Sequence, residues 1–294
     1  MFGHGHDDHP DHGPSDAPTL RRRTILLGVA SFVAFVGLTV VTVLLSPAPK
    51  LLVIAWVAFA TMATGALLGV RARSRHPRGM VWTYGLASGA MVTSSAVFLV
   101  PAAVGHHPSW GGFGIAAGVI AGFGAHAIGH RLSHRSLPLD RTAAELAAHS
   151  LSAGTIIGLV YTSMPSLGAL LGLSIVSHKG PAGYAAARRF SGSDRHFATI
   201  LLPATGVGIA ALTVALFEPP TSAAFRGLVF GFAAGTFLHV AMDFLPSCET
   251  GGEVHAETLQ MSGESHEVLD RLRLHAVAST FLGGVIVFLA WLLV

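Results

Sequence analysis

Nine stretches of this chain are long and apolar enough to sit in lipid. They run roughly over residues 24–45, 51–70, 82–104, 112–132, 143–162, 166–188, 197–217, 225–246 and 272–294. An α-helix of about 20 residues crosses the hydrocarbon core of a bilayer. No water in that core can satisfy exposed N–H and C=O groups, which suits segments of this length to helices. The expected fold is therefore all-α, a polytopic membrane helix bundle with nine transmembrane helices. Composition agrees: 11% of the residues are charged and 51% hydrophobic, whereas soluble domains carry about 25% charged residues.

The positive charges sort by side. With the N-terminus cytoplasmic, the inner connections hold Arg21, Arg22, Arg23, Arg71, Arg73, Arg75, Arg78, Arg131, Arg135, Arg141, Arg188, Arg189, Arg195, Arg271 and Arg273. The outer connections hold only Lys50 and Arg226, and Lys179 lies within a span. This bias is the positive-inside pattern, and it supports both the span count and the orientation. The C-terminus then lies outside, and the expected location is the plasma membrane. The net charge of +3 reflects these anchors rather than a nucleic-acid surface, so no nucleic-acid partner is expected.

Residues 1–20 are polar and rich in His, Asp and Pro, and are expected to be a disordered cytoplasmic tail. Its His4, His6, Asp7, Asp8, His9, Asp11 and His12 suit either loose metal capture or simple solvation. Residues 21–45 form a first span too long for the apolar core of a cleaved signal peptide. The segment 247–271 is acidic, polar and cytoplasmic. Cys248 is the single cysteine, so a disulfide framework and a Cys-rich zinc module are both excluded.

Chemistry must come from the few ionisable residues inside spans, each costing about 2.5–3.5 kcal/mol to insert. They are His126, His130, Glu145, His149, His178, Lys179, His239 and Asp243. His149 and His178 lie in consecutive spans joined by a short connection around Tyr161–Ser166. Antiparallel neighbours of this kind could turn both imidazoles to mid-membrane, with Gly154, Gly158, Gly168 and Gly172 allowing close approach. Pro181 has no N–H and should kink its helix, leaving the Ser177 carbonyl without its usual partner. Neutral imidazole suits zinc, iron, nickel and copper ions. Two histidines satisfied by ordinary hydrogen bonds would look the same in sequence. His126, His130 and His134 recur at helical spacing, which suits either an ion relay or interfacial anchoring.

The segments His149-Ser150-Leu151-Ser152-Ala153-Gly154 and His178-Lys179-Gly180-Pro181-Ala182-Gly183 resemble the fourth and fifth helices of the ZIP (Zrt/Irt-like) family of divalent-metal transporters. The family patterns read roughly H-N-x-x-[DE]-G and H-[EK]-x-P-[EH]-G. Gly235 to Pro246, GTFLHVAMDFLP, is similar to the family's seventh helix. The resemblance implies that residues 46–294 form an eight-helix 3+2+3 bundle with an inverted repeat, helices 1–3 and 6–8 flanking 4 and 5. Residues 21–45 would be an added N-terminal helix. It also implies a divalent cation, zinc or iron, as cargo between the two central helices, with no permanently bound cofactor. The implied metal-site residues are His149 and His178, with Ser150 in place of the usual Asn, and Asp243 and His239 from the seventh helix.

The chain departs from the family where charge matters. Ala153 and Ala182 stand where acidic or His ligands are expected, and Phe98 and Ala102 flank Pro101 where His and Glu often occur. Ser247 follows Pro246 in place of an acid, and Lys179 adds a cation beside His178. A dication leaving water relies on carboxylates to offset its desolvation, so a single weak site is expected, with Asp243 placed to neutralise Lys179. Three readings follow: a carrier of divalent cations, a transport-inactive relative acting as metal sensor or scaffold, and an intramembrane metal-dependent hydrolase using His126, His130, His149, His178 and Asp243. The carrier leads, and with it a protein that is not an enzyme. Its partners are the cation and the lipid bilayer, and glycine-rich faces permit a homodimer.

Overall fold

The computed structural model describes residues 17–46, 48–71, 77–133, 141–166, 168–176, 179–190, 198–217, 220, 222–243, 245 and 266–292. Its elements are α1 (Ala17–Leu45), α2 (Pro49–Arg71), α3 (Pro77–Ser94), a π-helical turn (Ser95–Leu99), α4 (Val100–His106), α5 (Pro108–Ser133), α6 (Arg141–Ser163), α7 (Ala169–Val176), α8 (Lys179–Phe190), α9 (Ala198–Ala215), α10 (Ala223–Asp243) and α11 (His266–Leu292). The described residues contain no strand. Among the described residues five helical segments are long and apolar enough to cross a membrane: Ile25–Leu45, Pro49–Arg71, Val81–His106, Ala223–Met242 and Asp270–Leu292. By length and composition this is an integral membrane protein. A further apolar helix, Ile200–Ala215, is shorter.

Several expected boundaries move, those of the first and last helices among them. The first helix opens at Ala17, inside the tail expected to run to residue 20. Pro18 is no obstacle there, because first-turn N–H groups have no intrahelical acceptor. The last helix opens at His266 rather than 272, with Glu267 and Asp270 near its start, where the helix dipole favours negative charge. The tail histidines, His134 and most of 247–271 lie outside the described residues, as do the side chains of His126, His130 and Glu145.

Glycine decides which helices pair. A Cβ added at Gly114 or Gly118 of α5 would meet α10 backbone at Leu228 or Phe232. One added at Gly231 or Gly235 of α10 would meet Gly111 or Ile115 in return, in every case under 3.0 Å. Backbones this close are the usual solution in lipid, where packing rather than hydrophobic expulsion holds helices together. The same device joins α3 to α11 through Gly85, Gly89 and Gly283. It joins α2 to α8 through Gly65, Gly69 and Gly183. Gly154 and Gly158 were expected to draw α6 onto α7–α8. They face Val207 and Ala211 of α9 instead, and Gly172 packs on Ile54 of α2.

The principal pairings are thus α5 with α10, α11 with α3, α6 with α9 and α2 with α8, with α2 and α9 also meeting. Smaller contacts join α6 to α10, α3 to α7 and α8, α2 to α6, and α8 to α9. Helix α1 lies beside α9. It is sewn in by Phe35, which is fully buried and stacks on Trp56 and Phe59 of α2 at 4.7 and 5.8 Å. Its other side, with Val33 and Leu44, is exposed and apolar, as lipid contact requires.

Pro101 lacks an N–H for the carbonyl four residues back. The preceding turn widens into the π form, and Val100 N–H donates to Ser95 O. Fully buried Ser88 and Ser95 use the hydroxyls that this helix turns inward, donating to α10 carbonyls Ala241 (2.8 Å) and Ala234 (3.4 Å). Tyr161 fixes the turn after α6: its hydroxyl donates to Gly168 O at 2.8 Å and accepts from Gly172 N–H at 2.7 Å. At the same end of the bundle Ser46 donates to Ala215 O (3.3 Å) and Lys50 to Pro165 O (2.9 Å). At the other end Trp82 Nε1–H donates to His275 Nδ1 at 3.2 Å.

Candidate metal site around His149

Helix α6 presents two adjoining faces, one buried and one that runs from buried Ala153 and Ile156 to exposed Ser152. His149, Ser152, Ala153 and Ile156 follow i, i+3, i+4, i+7 spacing and so share one face. With Thr236, Phe237 and Val240 of α10 they line a cavity of about 20 Å³. One water needs roughly 10–15 Å³ by this measure, so a single water or one stripped ion fits. Ser152 donates to Ala148 O (2.9 Å) and Thr236 to Phe232 O (2.9 Å). A hydroxyl bonded in this way keeps its oxygen lone pairs for an ion. The polar groups at the cavity are therefore one imidazole and two hydroxyls, all uncharged ligand types.

Ser150 is one residue further round, on the second face. Its Cβ packs near Gly206 of α9, and its hydroxyl accepts from Lys179 Nζ at 3.3 Å. Ser150 is 0% and Lys179 1% exposed. The expectation that α6 and α7–α8 pack directly as neighbours is corrected. Their main partners are α9 and α2, and the Lys179 side chain spans the gap between α6 and α8. The near-complete burial of Lys179 holds its ammonium away from bulk solvent. Burying it is costly unless it is paired, and the Ser150 hydroxyl is its hydrogen-bond partner among the described residues.

The predicted residues therefore separate. His149 lines the cavity and Ser150 adjoins it. His239 does not line it: its ring lies against Gly122, in the α5–α10 interface. The reason is angular, since successive helical residues turn by about 100° and Val240 already occupies the cavity side. His178, the Ser177 carbonyl and the side chain of Asp243 lie outside the described residues. Among the described residues no group of three or more His, Cys, Asp or Glu converges as a metal ion would require. Ala153 and Ala182 are both buried, so the methyl groups standing where the ZIP pattern has ligands do face the interior.

Sequence reasoning missed Ser152, Thr236 and Tyr161. Ser152 was available from its helical spacing to His149, and Thr236 from its spacing to Val240. Nothing local marks Tyr161, whose role depends on where the following turn returns.

No family model and no curated protein matches this chain.

Proposed function

We propose that this protein is a metal-ion carrier of the ZIP type, with nine spans and a single weak central site for a divalent cation, zinc or iron. The observation that carries the proposal is the pattern of helix pairing. Leave α1 aside and exchange α2 with α9, α3–α4 with α10, α5 with α11, and α6 with α7–α8. The contact of α5 with α10 then becomes that of α11 with α3, and α6 with α9 becomes α8 with α2. Two pairs of smaller contacts obey the same exchange: α6 with α10 maps to α7–α8 with α3, and α2 with α6 to α9 with α8, while the contact of the chain neighbours α4 and α5 has no α10–α11 counterpart of like extent among the described residues. A 3+2+3 inverted repeat around two central helices predicts this exchange, and repeats of this kind underlie many secondary transporters.

Topology points the same way. Ser46, Lys50 and Pro165 belong to connections that the arginine bias assigns to the outside and Ala215 to the helix end on that side, and they are joined in pairs. Trp82 and His275, assigned inside, are joined as well. In this mechanism the ion is ligated by His149, from the cavity that α6 shares with α10, and by His178 of the next span, with Ser150 or water. Rocking of the flanking helices exposes it to either side in turn. Uptake of zinc or iron into proteoliposomes tests the reading. The His149→Ala, His178→Ala double variant should abolish uptake; uptake at the parent rate would overturn the site.

The Lys179–Ser150 contact favours a second reading, a transport-inactive relative that senses metal or scaffolds a partner. An ammonium fully buried beside the Ser150 hydroxyl opposes a dication there. Purified protein that shows no uptake, yet gains it on neutralising Lys179, would establish that relative.

A further inference from the structure

We infer that His106 and Met164 form a second metal site, selective for a soft monovalent ion, Cu(I) or Ag(I). His106 ends α4 and Met164 follows α6, 58 residues away in sequence, yet His106 Nε2 and Met164 Sδ stand 2.8 Å apart. The fold builds this approach. Tyr161 clamps the turn just after Met164, and Met164 N–H itself bonds back to Val160 O at 2.9 Å. On the other side the His106 ring lies over Phe230 of α10, with centroids 5.6 Å apart, and Phe230 is fully buried. Both donor side chains are partly exposed at that end of the bundle, so an ion can reach them.

The donor types choose the ion. A thioether is a weak hydrogen-bond acceptor but a good ligand for soft metals, and imidazole with thioether is a neutral pair suited to Cu(I). Donors bound to one ion at about 2.0 Å (N) and 2.3 Å (S) stand roughly 3.5 Å apart at a tetrahedral angle and about 4.3 Å apart on the linear two-coordinate ion that Cu(I) and Ag(I) favour. Rotation within the flexible methionine side chain is enough to open the 2.8 Å pair to either span. The π face of Phe230 next to the imidazole adds a mild attraction for a cation. The site lies apart from the His149 cavity and does not depend on the carrier reading.

The test uses the full chain in detergent with silver(I) as a redox-inert probe, in chloride-free buffer. Hydrogen peroxide converts exposed methionine to the sulfoxide, and mass spectrometry of peptides follows Met164, with the other methionines as internal references. Silver should slow oxidation of Met164 by about tenfold once its free concentration is about ten times Kd, by mass action. Zinc at equal concentration should leave the rate unchanged. His106→Phe, which keeps a ring over Phe230, should lose the protection. Equal oxidation of Met164 with and without silver in the unaltered protein would overturn the site, and needs no variant to fold. Equal protection by zinc would overturn the soft-ion assignment, and undiminished protection in folded His106→Phe would remove the imidazole from it.

Discussion

Lys179 offers the sharpest test of why the central site should hold a dication weakly. Its Nζ lies 3.3 Å from Ser150 Oγ. An ion ligated by that oxygen at about 2.2 Å can therefore be no more than about 5.5 Å from the ammonium. At an effective dielectric of 20, a unit charge repels a dication at that distance by about 6 kcal/mol. That corresponds to about four decades in affinity. Movement of the lysine head would relieve part of this, so neutralisation should tighten zinc binding by at least about a hundredfold. Lys179→Met keeps the apolar stem and removes the charge. Calorimetric titration of zinc into the full chain and the variant measures the difference, and weak binding by the His-rich tail cancels between them. Thermal stability of the variant should equal or exceed that of the parent, because a buried cation costs more than a methionine in the same space. An unchanged zinc affinity would mean that no bound ion comes within reach of Ser150, and the electrostatic reasoning would fail.

Other expectations follow from the same geometry. Ala153→Glu puts a carboxylate on the cavity wall beside His149, so zinc should bind more tightly while overpacking lowers stability by about 1–3 kcal/mol; calorimetry and thermal unfolding read the two effects, and no gain in affinity would refute the cavity as an ion site. Gly235→Ala would drive a methyl group into the Ile115 carbonyl of α5, whereas Gly124→Ala meets nothing within 4 Å. The first should cost about 1–3 kcal/mol and the second should be neutral or gain up to about 1 kcal/mol from helix propensity; equal melting temperatures would contradict the close α5–α10 pairing. With Cys248 replaced by Ser, single cysteines at Ser46 and Ser222 should react with an impermeant maleimide from one side of sealed vesicles, and one at Gly79 from the other. Labelling of all three from one side would refute the topology.

Much of the secondary structure was legible because its causes are local. The body of each apolar run is helical where it is described, with non-helical residues such as Gly168, Phe217 and Leu245 only near the ends, since the need to satisfy backbone groups without water does not depend on what lies alongside. The ends were less legible: Ala17–Leu20 and His266–Arg271 are polar helical turns beyond the apolar cores, which hydropathy cannot register. The site was legible in part. Spacing alone brings Ser152 and Ala153 onto the face of His149, but it could not tell that this face meets α10 while Ser150 meets Lys179. His239 shows the limit most clearly, because a histidine one turn before Asp243 reads as a ligand until the facing helix is known to bring Gly122 against its ring.

By itself, then, the sequence determined that the chain is helical and suited to lipid, where its arginine anchors lie, and which residue types its interior can offer an ion. Only the tertiary structure decided that Gly154 and Gly158 bind α6 to α9, that a lysine bridges α6 and α8, and that His106 meets Met164 across 58 residues. The physical reason is range. Hydropathy and backbone hydrogen bonding are settled within a few residues of chain. Which face meets which partner depends on how every helix with a small-residue stripe competes for every other, and no single stretch of sequence contains the outcome.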